Sequence, residues 1–446
     1  MKKWSWVIIA FLVTLPGLVA VLGGFHLDKE APVLGAVLFG VAVIGAAFLL
    51  SWACEVAQMD IPAALALSVL ALIAVLPEYA VDFSLTYQAA TNKEYEALAV
   101  ANMIGANRMI VGFAWPLIIF LFWLRFRKKA VTLEKSQRVE IGFLGLAGLY
   151  SLIIPIKGHI DIIDVVILVG LFVLYTVRIS RSEVHEPELI GPAQLLGSLS
   201  NGPRRAIVSF MLIFAGLVIF VVAHPFAESL VLTGKNIGVD EVFMVQWFAP
   251  IASEAPEIVV CILFTLRGLA SAGLGALVAS KVNQWTLLVG TLPLVFSLGS
   301  GYIRSLPLNG DQVGSMFVTS GQTLLAVAIM MNLSAHIWEA GLLFVLFIAQ
   351  FFFPDQFLFF NIDAHYVFGV IYIVLAVAII ARIPFREHKA IISTMFNFGK
   401  RQPEEEEVPE AALSGPDKVR ALEAETERVI EPARSGSKNK EGHFSL

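Results

Sequence analysis

The stretch "FAPIASEAPEIVVCILF", Phe248 to Phe264, places two glutamates, Glu254 and Glu257, in a segment that is otherwise apolar enough to lie in a bilayer. A carboxylate near the centre of a membrane helix costs a few kcal/mol to insert, so such residues usually face a cavity or a partner. Pro256 lies between the two and cannot donate to the carbonyl of Ala252, which frees a backbone oxygen beside them. The stretch therefore predicts a polar site inside a membrane domain.

The composition of the whole chain agrees with a membrane protein. Of 446 residues, 57% are hydrophobic and 15% are charged, against about 25% charged in an ordinary soluble domain. Apolar runs near the ~20 residues that span a bilayer recur along the chain and predict an all-α polytopic membrane protein. The first run is longer than the apolar part of a secretory signal and lacks a small-residue cleavage site, so we interpret it as a span.

Twelve spans are predicted, with basic residues concentrated in the loops after spans 4, 6 and 12. This bias places both termini in the cytoplasm, and we expect the cell (inner) membrane. Four aspartates at span edges, Asp60, Asp161, Asp164 and Asp240, are predicted to be solvated. The spans are 4–25, 31–58, 61–90, 97–124, 138–157, 159–181, 205–234, 240–268, 270–299, 316–332, 335–353 and 364–384.

The chain contains an internal duplication. "ALIAVLPEYAVDF" from Ala71 and "APIASEAPEIVVC" from Ala249 share a Pro-Glu pair, and "ALAVANMIGANRMIVG" aligns without gaps on "GALVASKVNQWTLLVG". Span 3 runs outward and span 8 inward under the charge rule, so the copies are inverted, as in many secondary transporters. The predicted domains are an extra helix in 1–30, a first five-helix repeat in 31–181, a short cytoplasmic linker in 182–204, a second repeat in 205–353, an extra helix in 354–384 and a largely disordered acidic tail in 385–446.

The duplicated Pro-Glu helices predict a site for a hard cation, with Glu78 and Glu257 as its centre. Pro77 frees the carbonyl of Ile73 beside Glu78, and oxygen atoms are the ligands that Ca²⁺ and Na⁺ prefer. Side chains at helical spacing or at matching repeat positions add carboxylate, hydroxyl and amide groups. The further predicted ion-binding residues are Asp82, Glu254, Ser253, Asn102, Asn107, Ser280 and Asn283.

Two basic residues near these polar positions, Lys281 and Arg108, are predicted internal counter-charges. Four carboxylates in one dry site cannot all stay ionised, so some are protonated, paired or filled by cations. Lys281 in particular is predicted to occupy a place where a sodium ion would otherwise bind, and a desolvated lysine that loses its proton would make exchange proton-linked. The glycines Gly105, Gly112, Gly273 and Gly275 are predicted to permit close helix approach.

"LPEYAVD...VANMIGAN" and "FAPIASEAPEIVV", each in an inverted five-helix repeat, resemble the alpha repeats of the sodium/calcium exchanger superfamily of cation antiporters. The resemblance implies ten core helices, ion ligands on the Pro-Glu helices and the helices after them, and exchange by alternating access. By position, Glu78 and Glu257 match the family's central acidic ligands, and Asn102 and Asn107 match its amide positions. Asp82 stands where the family commonly has serine, and Lys281 interrupts the second repeat's Gly-Ser-Asn element.

The predicted function is therefore secondary-active cation antiport, moving Ca²⁺ or a monovalent cation against Na⁺ or H⁺. One alternative is a Na⁺(K⁺)/H⁺ exchanger on the same fold, and another is a non-transporting cation sensor or a channel. The only His-Glu pair lacks the second histidine of a zinc hydrolase motif, so we expect no enzyme. We expect no cofactor and no nucleic acid partner; the expected partners are inorganic cations and the lipid bilayer, and the sequence does not predict an oligomeric state.

Overall fold

Membrane-spanning helices dominate the computed structural model, which describes residues 2–60, 75–181, 189–352, 356–357 and 362–396. Within these ranges, nine helices are long and apolar enough to cross a membrane. The predicted all-α membrane fold is confirmed. The first half of predicted span 3 with the Ile73 carbonyl, part of the linker (182–188) and most of the acidic tail (397–446) lie outside the described residues.

The helices of the first repeat follow the predicted spans closely. The third helix of this repeat contains a π-helical turn, Ile110–Ala114, and its fourth is broken after Ser151. The helices are α3 (Pro32–Ala57), α4 (Leu76–Ala89), α5 (Ala101–Met109) leading through the π-turn into α6 (Trp115–Phe126), α7 (Arg138–Ser151) followed by α8 (Ile153–Lys157), and α9 (Ile162–Ile179).

The second repeat has the same order of helices. Its first helix is longer than predicted, and its third also contains a π-helical turn, Gln284–Leu288. The helices are α11 (Asn201–Ile237), α12 (Glu241–Leu266), α13 (Ala270–Asn283) leading through the π-turn into α14 (Val289–Ser300), α15 (Gly310–Met330) and α16 (Ile337–Phe352).

The remaining elements lie outside the two repeats or are short. The predicted extra helices are α1 (Lys2–Leu22) and α17 (Ala364–Ile380), and the linker contains α10 (Pro192–Gly197). One expectation was wrong in part: the segment predicted as the start of a disordered tail forms a helix, α18 (Phe385–Phe396). Short helical turns are α2 (Leu27–Glu30) and the 3₁₀ turns Lys93–Tyr95 and Lys135–Gln137.

In the part of the chain that the structure describes, three short antiparallel strand pairs join loops at the ends of the helices. β1 (Ala130–Thr132) pairs with β4 (Ser334–His336), and β2 (His159–Ile160) pairs with β3 (Leu306–Pro307). Because one span, α7 with α8, separates β1 from β2, these two pairs lie at opposite ends of the bundle. Each of them joins a loop of one repeat to a loop of the other. The third pair joins β5 (Gln356–Phe357) to β6 (Ile362–Asp363).

The two repeats pack on each other in an equivalent, exchanged manner. The first helices of the repeats, α3 and α11, pack along each other, and α12 of the second repeat packs on α5 of the first. Reciprocally, α4 of the first repeat packs on α14 of the second. The second helix of each repeat thus lies against the third helix of the other. The contact is with the part before the π-turn in the first repeat and with the part after it in the second. This packing brings both Pro-Glu pairs to the middle of the bundle.

All four glycines that were predicted to allow close approach lie against a neighbouring helix or side chain. A Cβ atom at Gly105 would collide with the backbone carbonyl of Gln246 in α12, and one at Gly112 would collide with the ring of Phe347. At Gly273 the added carbon would lie 3.0 Å from a backbone oxygen of α12, and at Gly275 it would collide with the amide of Gln137. The α5–α12 contact at Gly105 is the tightest, and it holds the two repeats together beside the predicted site.

Of the four edge aspartates, Asp240 is exposed as predicted, and the other three are at least half-buried and paired with basic side chains, Asp161 with Lys157 at 3.1 Å. Asp164 is fully buried and accepts hydrogen bonds from the Lys157 ammonium at 2.6 Å and the Tyr150 hydroxyl at 2.7 Å. Asp60, after α3, binds the Arg204 guanidinium through two hydrogen bonds of 2.8 Å. Hydrogen bonds from Arg204, and weaker ones from Arg205, lower the pKa of Asp60 from 3.8 to about 2. The partner of Asp60 is distant in sequence, whereas those of Asp164 lie 7 and 14 residues before it, in the helices that precede α9.

Candidate cation site

The carboxyl groups of Glu78 and Glu254 come together from the two repeats. Glu78 lies in the first turn of α4 and Glu254 near the middle of α12, and each is 3% exposed. Their carboxyl groups lie within hydrogen-bonding reach of each other. An ionised carboxylate only accepts hydrogen bonds, so two carboxyl groups in such contact share at least one proton. This pair joins the first repeat to the second at the centre of the bundle.

Gln284 bridges this carboxyl pair and was missed by the sequence interpretation. Its side-chain nitrogen donates to Glu254 Oε1 at 2.9 Å, and the same amide interacts with Glu78. Gln284 is fully buried and is the first residue of the π-helical turn in the second repeat. A π-turn shifts the side chains that follow it to a different face, and such turns often mark functional sites. The gap-free alignment of the repeats pairs Gln284 with the apolar residue Ala106. Comparison of the two repeats therefore did not indicate Gln284 as a site residue.

Glu257, the other predicted central ligand, is half-buried one helical turn from Glu254. It lies beside the Ser280 hydroxyl. That hydroxyl makes no other hydrogen bond among the described residues. Its charge also acts on Glu78. The three glutamates therefore form one electrostatic cluster, although no three His, Cys, Asp or Glu side chains in the described ranges are arranged to hold a metal ion.

Asp82 forms a second polar position in the first repeat. The residue is fully buried, and its Oδ1 accepts a hydrogen bond from the Met103 backbone N–H at 3.1 Å. Its carboxylate lies beside the side-chain amide of Asn102, and Oδ2 and that amide find no further partner within the described chain. Buried polar atoms are nearly always hydrogen-bonded in proteins. Asp82 and Asn102 therefore offer side-chain oxygens of the kind that a hard cation binds.

Lys281 is fully buried and binds Asn107 rather than reaching the membrane surface. Its ammonium donates to the Asn107 backbone oxygen at 2.6 Å and to Asn107 Oδ1 at 2.7 Å. The Asn107 amide nitrogen in turn donates to the Met103 carbonyl at 2.9 Å. The ammonium is thus held by one backbone and one amide oxygen, which are the ligand types of an alkali cation. Its charge acts on Glu78 and Glu254.

The remaining predicted residues occupy different surroundings. The Asn283 side chain accepts a hydrogen bond from the Tyr79 hydroxyl at 2.9 Å, and the Ser253 hydroxyl donates to carbonyls of its own helix at 3.3 and 3.4 Å. Arg108 contacts Gln350 and lies over the Trp247 ring, 5.1 Å from its centre. Arg108 lines a separate cavity of about 560 Å³ between α5, α12, α15 and α17. Of the two predicted counter-charges, only Lys281 acts electrostatically on the glutamates, although its direct contacts are with Asn107.

Comparison with known proteins identifies the family. The profile of the family described as "Sodium/calcium exchanger protein" matches residues 31–180 and 207–354, which are the two repeats. The chain belongs to this family. The resemblance inferred from the Pro-Glu and Asn-x-x-Gly-x-Asn motifs is thereby confirmed, and the protein is a cation antiporter of the sodium/calcium exchanger type.

Solved structures agree with this assignment. The crystal structure of the H⁺/Ca²⁺ exchanger CAX is similar over 89% of this chain and 98% of that chain, with 38% sequence identity and a TM-score of 0.82. The structure of native YfkE is similar over 83% of this chain and 99% of that chain, with 14% identity and a TM-score of 0.54, which supports the fold alone. A search of curated proteins found no match.

Proposed function

We propose that this exchanger moves Ca²⁺ in one direction and protons in the other. The similarity to a protein described as an H⁺/Ca²⁺ exchanger supports this choice of ions. The observation that carries it is the proton-sharing contact between Glu78 and Glu254. A proton held between two carboxyl groups must leave before both become ligands of a divalent cation. Ca²⁺ binding and proton release are then one event at one site.

In this proposal Glu78 and Glu257 are the main Ca²⁺ ligands, and Glu254 shares the proton. Ca²⁺ takes six to eight oxygens, so further ligands are needed. The carbonyl of Ala252, freed by Pro256, and the hydroxyl of Ser280 lie on or beside the same helix, and Asp82 with Asn102 offers unsatisfied oxygens. Gln284 fixes the position of Glu254 within the carboxyl pair, because its side-chain amide donates to Oε1, and such a hydrogen bond favours the ionised carboxylate.

Lys281 favours proton-linked over sodium-linked exchange. Its ammonium fills the position between the backbone oxygen and Oδ1 of Asn107, so these two oxygens are not free to hold a sodium ion. A Na⁺(K⁺)/H⁺ exchanger would need such a monovalent site. We further propose that the protein lies in the cell (inner) membrane with both termini in the cytoplasm, as the basic loops indicate.

The test is Ca²⁺ flux into proteoliposomes under an imposed pH gradient, with internal pH recorded in the same vesicles. We expect Ca²⁺ uptake with counterflow of protons, and loss of both in Glu78→Gln and Glu257→Gln. Glu94→Gln is the matched control, because that glutamate has a side chain 71% exposed outside the site. Ca²⁺ flux without proton counterflow would indicate a channel, and counterflow of Na⁺ or K⁺ alone would indicate the monovalent exchanger. Retained exchange in both glutamine variants would refute the assigned ligands.

A further inference from the structure

The C-terminal helix α18 runs nearly perpendicular to the spanning helix before it. α17 ends at Ile380, α18 begins at Phe385, and the two axes differ in direction by 102°. With α17 as the last predicted span, this bend directs α18 along the membrane surface at the face where α17 ends. It is the face that the basic loops predict to be cytoplasmic.

One side of α18 is attached to the protein. Ile391 and Met395 are buried and lie over Gly142 of α7. Glu387 accepts a hydrogen bond from the Arg138 guanidinium at 2.8 Å, and Arg178 Nε donates to the Thr394 carbonyl at 3.0 Å. These contacts fix the rotation of α18 about its axis, so they also fix which side chains point away from the protein.

A second apolar side of α18 is exposed on the surface of the protein. Phe385, Ile392 and Phe396 are 72%, 57% and 56% exposed. They are spaced by seven and four residues, which places them on one face of a helix. On the helical wheel this face adjoins the face that binds the protein. Ser393 lies on the polar side of the helix, opposite the protein-bound face. An amphipathic helix with this arrangement fits the corner between a membrane protein and the bilayer surface.

Basic side chains surround the exposed apolar stripe. Arg382, Arg386 and Lys389 are exposed, and the Arg386 side chain is 86% exposed while it pairs with Glu387 at 3.2 Å. The Lys389 ammonium lies 5.1 Å from the centre of the Phe385 ring, at the edge of the stripe. Cations at the edge of an inserted apolar face are at the depth of lipid head groups, where anionic phosphates attract them.

We propose that α18 is a binding surface for anionic lipids, with Phe385, Ile392 and Phe396 inserted at the bilayer interface and Arg382, Arg386 and Lys389 holding the head groups. This inference does not depend on which cations the protein exchanges. The acidic tail of the same chain, 11 acidic and 6 basic residues from Gln402 to Leu446, is the main competitor for these cations, and a second copy of the chain is another.

Fluorescent labels at two neighbouring positions test the insertion in the full-length protein. An environment-sensitive dye is attached to Ile392→Cys or Ser393→Cys, in vesicles with and without about one-third phosphatidylglycerol. Both native cysteines are buried, and unsubstituted protein measures their labelling. We expect acyl-chain nitroxide lipids to quench the dye at 392 and not at 393, and iodide to quench in the reverse order. A dye at 392 that iodide quenches, or that neither quencher reaches because protein covers it, would overturn the proposal.

Charge removal tests the lipid specificity. Arg386→Gln/Lys389→Gln is compared with Lys29→Gln/Lys93→Gln, which removes the same charge from exposed residues outside α18. The association constant of spin-labelled phosphatidylglycerol relative to phosphatidylcholine should fall about fivefold for each charge removed from α18. The control variant should retain the wild-type ratio. Equal ratios in both variants would show that these cations bind no anionic lipid and would overturn the proposal.

Discussion

Replacement of Lys281 by methionine should open a site for sodium. The wild-type ammonium makes two charge-assisted hydrogen bonds, at 2.6 and 2.7 Å, to the oxygens of Asn107. Hydrogen bonds to charged groups contribute about 1.5–3 kcal/mol each, so the variant loses about 3–6 kcal/mol of interaction. The desolvation penalty of a buried ammonium, which is several kcal/mol, disappears at the same time. The two terms are of similar size, so we expect a net change in stability that is smaller than the hydrogen-bond term.

Whether Na⁺ stabilises the Lys281→Met variant is a sharper test of a sodium site than the size of the stability change. In Lys281→Met the two oxygens of Asn107 are left without a donor, and a bound Na⁺ would satisfy both. A ligand present at about 100 times its Kd stabilises the folded state by about 2.7 kcal/mol. The unfolding temperature of the variant should rise with NaCl and not with an impermeant organic chloride, while that of the wild type should not respond to Na⁺.

Arg108→Met is the matched control, because it removes the neighbouring buried cation from a different environment. The contacts of Arg108 are Gln350 and Trp247, with no carboxylate among its close partners in the described chain. This variant should lose stability without gaining any sodium response. If Lys281→Met shows no sodium response in either unfolding temperature or Ca²⁺ flux, Lys281 is not a substitute for a bound cation.

Three further perturbations follow from the geometry. Glu254→Gln keeps a hydrogen bond to Glu78 but removes a titrating group, so Ca²⁺ transport should persist with fewer protons per Ca²⁺, measured as the ratio of the two fluxes. Gly105→Ala should lower stability by roughly 1–3 kcal/mol, because its methyl group meets backbone rather than a flexible side chain, whereas Gly170→Ala has open space and should not destabilise. The pKa of Asp60 is lowered on folding, so its contribution is full above about pH 4 and is lost as pH falls toward 2. The stability difference between wild type and Asp60→Asn should therefore shrink over that range, as followed by acid unfolding.

The sequence predicted the architecture because hydropathy and the duplicated motifs are properties of single segments. Glu78 and Glu257 were found on this basis, since a Pro-Glu pair in an apolar run is unusual wherever it occurs. Which carboxyl group contacts Glu78 depends on how α4 packs against α12, and the closer partner proved to be Glu254. Gln284 was missed for a related reason: a π-turn changes the face on which a residue lies, and hydropathy does not reveal one.

The same limitation explains the errors at the membrane edges. Asp164 and Asp60 were predicted to be solvated because they lie near span ends, yet Lys157 and Arg204 reach them. α18 was predicted to be part of a disordered tail because the composition of the residues after it dominates that region. Its attachment depends on a surface formed by α7, which cannot be deduced from a local window.

The strand pairs restrict how the site can open to either side. β1 with β4 and β2 with β3 tie the third, fourth and fifth helices of one repeat to those of the other, at both ends of the bundle. Rocking of one whole repeat against the other would have to break backbone hydrogen bonds at one end or the other. The first helices, α3 and α11, are joined by neither pair, and they pack along each other with Asp60 and Arg204 linked at one end. The architecture therefore favours alternating access in which α3 and α11 move together across a frame held by the strands, while the carboxyl groups stay near the centre.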